Sequence, residues 1–187
     1  MARRLFAKKP FPVWNVRRFL EPGPVALLSS AHRGQRNIMT LGWHMILEME
    51  PSLVGCYIWD ENHSHALVRR SRECVINLPT ADLARAVIGI GNCHGTDVDK
   101  FAAFGLTPAK AAKVCAPLIA ECYANFECRL VDSSLIRRYR LFVFEVVRAH
   151  VATAPRYPAT MHYRGGGVFM IAGRNVSYRK LFKPGNL

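Results

Sequence analysis

Two runs of strand-forming residues, Pro24–Ser30 (PVALLSS) and Asn37–Leu47 (NIMTLGWHMIL), are separated only by AHRGQR, which contains Gly34. A connection that short has no room for a crossover helix, so the second run must turn back and pair antiparallel with the first. The pattern continues along the chain. Leu53–Trp59 (LVGCYIW) reads as a third strand, ECVINL before Pro79 as a fourth, and residues 119–131 and 139–151 as two longer ones. MHYRGGGVFMIAG is a last hairpin-like element. Helices are the minor component. DENHSHALVRRS opens with Asp, Asn and Ser, good N-cap residues, and continues as a short basic helix. Thr80–Gly89 has helical spacing and ends at Gly89 or Gly91, and DVDKFAAFGL is a second short helix with Gly105 as its C-cap. Strands that come as hairpins rather than strand–helix–strand units predict a mainly β fold, an antiparallel barrel with inserted short helices.

The chain has 187 residues, enough for one domain with a real core, and no internal repeat or dividing linker is visible. Its formal charge of +13 is unevenly placed. Residues 1–20 hold Arg3, Arg4, Lys8, Lys9, Arg17 and Arg18 and no acid, and residues 146–187 hold seven basic residues and no acid. All 13 acids fall in the neutral body between. Basic ends suit nucleic acid or an anionic cofactor, but solvated arms are the usual case for exposed charge. The six cysteines form no CxxC pair and several lie in apolar runs, which reads as a cytoplasmic protein with mostly buried thiols. No apolar run reaches the roughly 18 residues of a membrane span, and the start, MARRLFAKKPFPVWNV, lacks the apolar core of a signal peptide.

The short motifs are weak taken singly. GIGNCHG (89–95) resembles a dinucleotide fingerprint, yet it follows a helix and its third glycine falls one place late, so a helix end and loop is the better reading. His63 and His65, with Cys93 and His94, lack the second clean ligand pair that zinc wants, and no metal site is expected. No cysteine is marked as an activated nucleophile. Gly165–Gly167 permit close backbone approach or simply form a flexible turn. The stretch NIMTLGWHM (37–45) is harder to dismiss. A half-buried strand does not need a polar handle, a glycine gap, a tryptophan and two methionines in one run.

Ordered motifs resolve the ambiguity. PVALLSS…GQRNIMTLGWH…PSLVGCYIWDENHSHALVRRSRECVINLPTADLARAV, followed by DKFAAFGLTP, resembles the flavin reductase-like family with the FMN-binding split barrel, especially its flavoredoxin-type branch. The likeness runs from about Pro22 to Gly173, between a basic lead-in (1–21) and a basic tail (176–187) that flank the expected domain, 22–175. It is most specific in N-x-M-T-x-G-W and LVRRSRECVINLP. The resemblance implies a Greek-key antiparallel barrel, a homodimer, and one FMN per subunit near the subunit interface. It also implies electron flow from NAD(P)H through flavin to a small-molecule acceptor or a redox partner protein.

By that resemblance Asn37, Met39, Thr40, Leu41, Gly42 and Trp43 lie along the flavin ring, supplying backbone donors, a close-approach position and an aromatic and sulfur wall. Ser64 and His65 at the helix start offer N–H groups and a favourable dipole to the phosphate, with Arg69 one turn on. Lys100 matches the family lysine near the ring. A histidine often precedes the strand matching YRLFVFEVV in related proteins; here that position is Tyr139, which would border the ring. Phe169 would cover the flavin from the last hairpin. Hydride transfer between stacked rings needs positioning rather than an acid–base dyad, so no catalytic side chain is expected. The expected activity is that of an FMN-dependent oxidoreductase. A flavin-binding carrier or sensor without its own nicotinamide site, and a module that binds nucleic acid through the basic ends, are the alternatives.

Overall fold

Alternate residues of the long strands enter one apolar interior. Ala26 and Leu28, Met39 and Leu41, Val54 and Cys56, Cys74 and Ile76, Phe126 and Cys128, and Phe142 and Phe144 all lie buried in it. That is the period-two signature of strands with one face on a core. A computed structural model describes residues 5–16 and 23–183. Arg3, Arg4, Arg17 and Arg18 of the basic lead-in, and residues 184–187 of the tail, lie outside the described residues.

The strands are β1 (Lys8–Phe11), β2 (Ala26–His32), β3 (Gln35–Leu41), β4 (His44–Glu48), β5 (Leu53–Tyr57) and β6 (Glu73–Leu78). They continue as β7 (Pro108–Ala109), β8 (Leu118–Ile119), β9 (Ala124–Asp132), β10 (Leu141–Ala152), β11 (Met161–Gly165) and β12 (Val168–Ile171). The helices are α1 (His63–Ser71), α2 (Ala84–Gly91), α3 (Lys100–Ala103) and α4 (Ile136–Tyr139). The main sheet runs β3-β2-β6-β9-β10-β5-β4, with β1 also on β10, and every pairing is antiparallel. Neighbours such as β2 and β6 are far apart in sequence, which makes the connections Greek-key crossovers. The fold is thus the expected Greek-key antiparallel barrel with short inserted helices.

The first hairpin is tighter than its spacing predicts. Arg33 and Gly34, both at positive φ (48° and 81°), make a two-residue turn whose twist suits a hairpin. Residues 37–47 are not one strand. The run breaks at Gly42 and Trp43, and these two residues carry the chain between β3 and β4, the outermost strands at opposite ends of the sheet. So short a link pulls the two edges together and sets the barrel seam there. The Trp43 carbonyl accepts the Tyr57 N–H at 3.0 Å, tying the link to the end of β5.

Other boundaries shift for local reasons. The strand expected over 119–131 begins at Ala124, because Leu118–Ile119 pair instead with Pro108–Ala109 in a separate small ladder. The helix expected from Thr80 is a 3-10 turn over Ala81–Leu83 that leads into α2 and stops at Gly91. Gly105, at φ 57°, follows α3 as the predicted cap. The basic lead-in is not a solvated arm over its described part. Lys8–Phe11 pairs with the end of β10, Lys8 donates to the Ala120 carbonyl at 2.8 Å, and Val16 is buried in the main core. Beyond β12, the stretch 174–183 is exposed.

A second layer sits outside β2 and β3. Leu27 and Ile38 point away from the barrel interior and pack with Val87 and Ile90 of α2 and with Phe101 of α3. Thr40 Oγ1 donates to the Val87 carbonyl at 2.6 Å, locking α2 onto β3. α1 packs against β2, β3 and β6 and inserts Val68 into the interior.

Candidate functional site

The barrel seam borders a slot of about 620 Å³, within the usual range for ligand sites. One wall is the sequence Met39, Thr40, Leu41, Gly42 and Trp43. β3 is an outermost strand with a ladder on one side only, so its other backbone edge is free to meet a ligand. Opposite stand Ile88 and Asn92 from the α2 end, while Tyr57 and Trp59 extend the wall from β5. Tyr163 and Phe169 cover the slot from the β11–β12 hairpin, their ring centroids 5.0 Å apart. Trp43 and Tyr57 make a second tilted pair at 5.1 Å. Among the described residues no charged side chain lines the slot. A side chain added at Gly42 would meet open space, so this position keeps the slot clear. Gly165 ends β11 and Gly166 and Gly167 form the turn, all three at positive φ.

The slot also reaches Asn62, the N-cap of α1. No side chain caps that helix end. An uncapped helix N-terminus presents free N–H groups and the positive end of the helix dipole, a favourable place for an anion. The arrangement suits a planar aromatic ligand with an anionic end.

Six of the predicted residues, Met39, Thr40, Leu41, Gly42, Trp43 and Phe169, converge on this slot. The others take different places. Asn37 is buried beneath the first turn of α1, where its Nδ2 donates to Ser64 Oγ at 2.9 Å and Ser30 Oγ donates to the same oxygen at 3.2 Å. This buried cluster joins β2, β3 and α1 and commits the Ser64 hydroxyl to structure. The Asn37 Oδ1 has no hydrogen-bond partner among the described residues and lies where a Cβ on residue 95 would stand, a place Gly95 leaves open. His65 is buried edge-on against Phe142 at 5.2 Å; burial, then the nearby Arg69, lowers its pKa. Arg69 is exposed and outside the slot lining. Lys100 does not line the slot either. Its Nζ is buried and donates to the Ile90 carbonyl at 2.8 Å, capping the C-terminus of α2, and burial lowers its pKa. Tyr139 is an exposed residue of α4 under the Arg138 guanidinium and does not line the slot.

Sequence reasoning did not place several other lining residues here, among them Tyr57, Trp59, Asn62, Ile88, Asn92 and Tyr163. A signal existed for two of them. Asn62 was an N-cap candidate, and Tyr163 lies two residues into a strand whose partner carries Phe169 directly opposite.

Comparison with known proteins gives a consistent picture. Residues 17–170 match the model of the flavin reductase like domain. An uncharacterized protein of Archaeoglobus fulgidus is 33% identical over 135 residues, which cover 72% of this chain and 76% of that protein. Among solved structures, an FMN-binding domain of a flavin reductases-like enzyme from Shewanella baltica OS155 has a TM-score of 0.86 at 23% identity, covering 93% of this chain and 98% of that one. The flavoredoxin of Desulfovibrio vulgaris (Miyazaki F) has a TM-score of 0.76 at 20% identity, covering 98% of this chain and 96% of its own. These structural likenesses concern the fold, a split barrel.

Proposed function

The chain belongs to the flavin reductase-like domain family, and from that premise we propose that it binds FMN and acts as an oxidoreductase, passing electrons from NAD(P)H through the flavin to a second acceptor. The observation that carries this reading is the aromatic, uncharged slot at the barrel seam that opens onto the N-terminus of α1. Trp43, Tyr163 and Phe169 would hold the ring system and exclude water, and the free backbone edge of β3 would meet its polar rim. The first N–H groups of α1 would take the phosphate. Bound there, FMN would supply the electron-accepting and electron-donating chemistry that no side chain here offers.

The test is a fluorescence titration with FMN and with riboflavin, which has the same ring and no phosphate. Two hydrogen bonds to a charged group, at roughly 1.5–3 kcal/mol each, predict about 100-fold tighter binding of FMN. Equal affinities would remove the helix N-terminus from the site. Oxidation of NADH or NADPH by the FMN-loaded protein then tests the donor. One observation favours a second reading, an FMN-binding electron carrier or sensor without its own nicotinamide site: among the described residues no charged side chain lines the slot to meet a dinucleotide's pyrophosphate. An FMN-loaded protein that leaves NADH and NADPH unoxidised would establish that reading instead.

We also propose a homodimer. Beside the slot, Met45, Leu47 and Met49 alternate along and just past β4 with Trp43 above them, and all four are exposed. Met45 and Leu47 lie over Gly55 of β5, which makes this outer face continuously apolar. Contiguous exposed apolar surface next to a site marks an interface. Sedimentation at micromolar concentration should return a dimer, and an FMN-loaded monomer would overturn the assignment. The six cysteines, all free, suit the cytoplasm, and the acceptor is a small molecule or a redox partner protein. No helix among the described residues is long and apolar enough to cross a membrane. The basic ends serve solubility or steering of anionic substrates rather than nucleic-acid binding.

A further inference from the structure

Consecutive residues of β11 line different spaces. Tyr163 lines the aromatic slot, whereas His162 lines a second, smaller hollow of about 150 Å³. Val25 and Pro24 divide in the same way, Val25 to the slot and Pro24 to the hollow. The Val25 N–H donates to the Met161 carbonyl at 2.8 Å, so these two short segments form one wall between the spaces.

The hollow differs from the slot in chemistry. Thr160 and His162, each only 8% exposed, are its buried polar members. Thr160 Oγ1 lies 3.1 Å from His162 Nε2, and the other ring nitrogen, Nδ1, has no partner among the described residues. Arg156 and Tyr157 also line the hollow, with the guanidinium carbon 5.3 Å from the Tyr157 ring centroid. Stacking of this kind holds a guanidinium in a defined plane, suited to a bidentate oxyanion. Asn175 adds an amide. Among the described residues no acidic side chain lines the hollow, and residues 146–187 contain no acid.

We propose that this hollow is an oxyanion site that takes a phosphate group, held by the Arg156 guanidinium with His162 Nδ1 and the Asn175 amide. Its volume of about 150 Å³ admits a phosphate but not a whole nucleotide. The phosphate is either free or the end group of a larger molecule whose remainder stays outside. The site stands apart from the flavin reading, because none of its residues lines the aromatic slot.

The experiment titrates the flavin-free full chain with inorganic phosphate at constant ionic strength and pH while following the imidazole resonances by NMR. A saturable shift of the His162 signals is expected, and Arg156→Ala should weaken the affinity about tenfold or more, the loss of one charged hydrogen bond. Arg156→Lys, which keeps the charge but not the fork, should recover part of it. Adenosine 2′-monophosphate is titrated in parallel, with adenosine as control. Tighter binding of the ester than of phosphate assigns the site to a nucleotide's phosphate, and equal binding assigns it to free phosphate. No saturable shift at His162, or an affinity unchanged by Arg156→Ala, would overturn the proposal. Arg156 is exposed, so its variants should fold, and the readout needs no flavin. Failure here therefore leaves the flavin assignment standing, and the reverse holds too.

Discussion

Gly42→Leu is expected to abolish flavin binding while leaving the unfolding midpoint nearly unchanged. Gly42 lies in the link at the barrel seam, it lines the aromatic slot, and its Cβ position has no atom within 4 Å. Its φ lies outside the left-handed region, so a leucine there strains no backbone. The added side chain instead occupies space a ring would need. A flat ring system burying on the order of 150–250 Å² contributes about 4–6 kcal/mol at roughly 25 cal/mol per Å², which corresponds to about a thousandfold or more in affinity. Gly42→Ala should lie between the two. The measurement is an FMN titration of each variant beside a urea melt. A Gly42→Leu protein that binds FMN as the wild type does would move the ring out of this slot. Such a result would not touch the fold.

The second large effect concerns a carboxylate remote from the slot. Glu127 on β9 has a fully buried side chain whose oxygens accept from Ala112 N–H at 3.0 Å, from Lys113 N–H, and from His150 Nε2 at 2.7 Å. These bonds pin the segment between β7 and β8 to the barrel. Glu127→Ala should destabilise the protein by about 3 kcal/mol, since three bonds to one charged group are lost while water can reach the freed amides of exposed Ala112 and Lys113. Glu127→Gln, which keeps an acceptor oxygen, should cost less. Burial alone would raise the Glu127 pKa, but the two amides and His150 outweigh it, and the net shift is downward. A carboxyl whose folded pKa lies below its unfolded value stabilises the protein above the unfolded pKa, and that contribution fades as the pH falls through the folded pKa. The stability gap between wild type and Glu127→Ala should therefore be full at neutral pH and shrink below about pH 4, the ordinary glutamate range. Urea unfolding across that range reads it directly. A gap below about 1 kcal/mol at neutral pH would show that the clamp is unimportant.

Most of the longer strands, the first hairpin and the helix after Asn62 were legible in the chain because each is a local matter. Period-two burial, the Arg33–Gly34 turn and an N-cap involve residues within a few positions of one another. Five slot residues, Met39 to Trp43, were placed together by the family resemblance, and because they are consecutive one backbone presents them all. Tertiary structure decided what those elements meet. The break at Gly42 and Trp43 looks like ordinary strand in sequence. It becomes a seam only because β3 and β4 end up at opposite edges of one sheet. Lys8–Phe11 carries two lysines and a proline and reads as a solvated arm, yet it is a strand because β10, about 140 residues later, offers a backbone to pair with. Lys100 was expected at the ring. Once α2 and α3 pack together, the unsatisfied carbonyl of Ile90 is the nearest acceptor, and a buried ammonium must take it. Trp59 and Asn62 reach the slot from the loop between β5 and α1, Ile88 from α2 and Tyr163 from β11. Local preference sets what each segment becomes, but only the closing of a Greek-key sheet, in which sequence neighbours are not spatial neighbours, determines which side chains share a cavity.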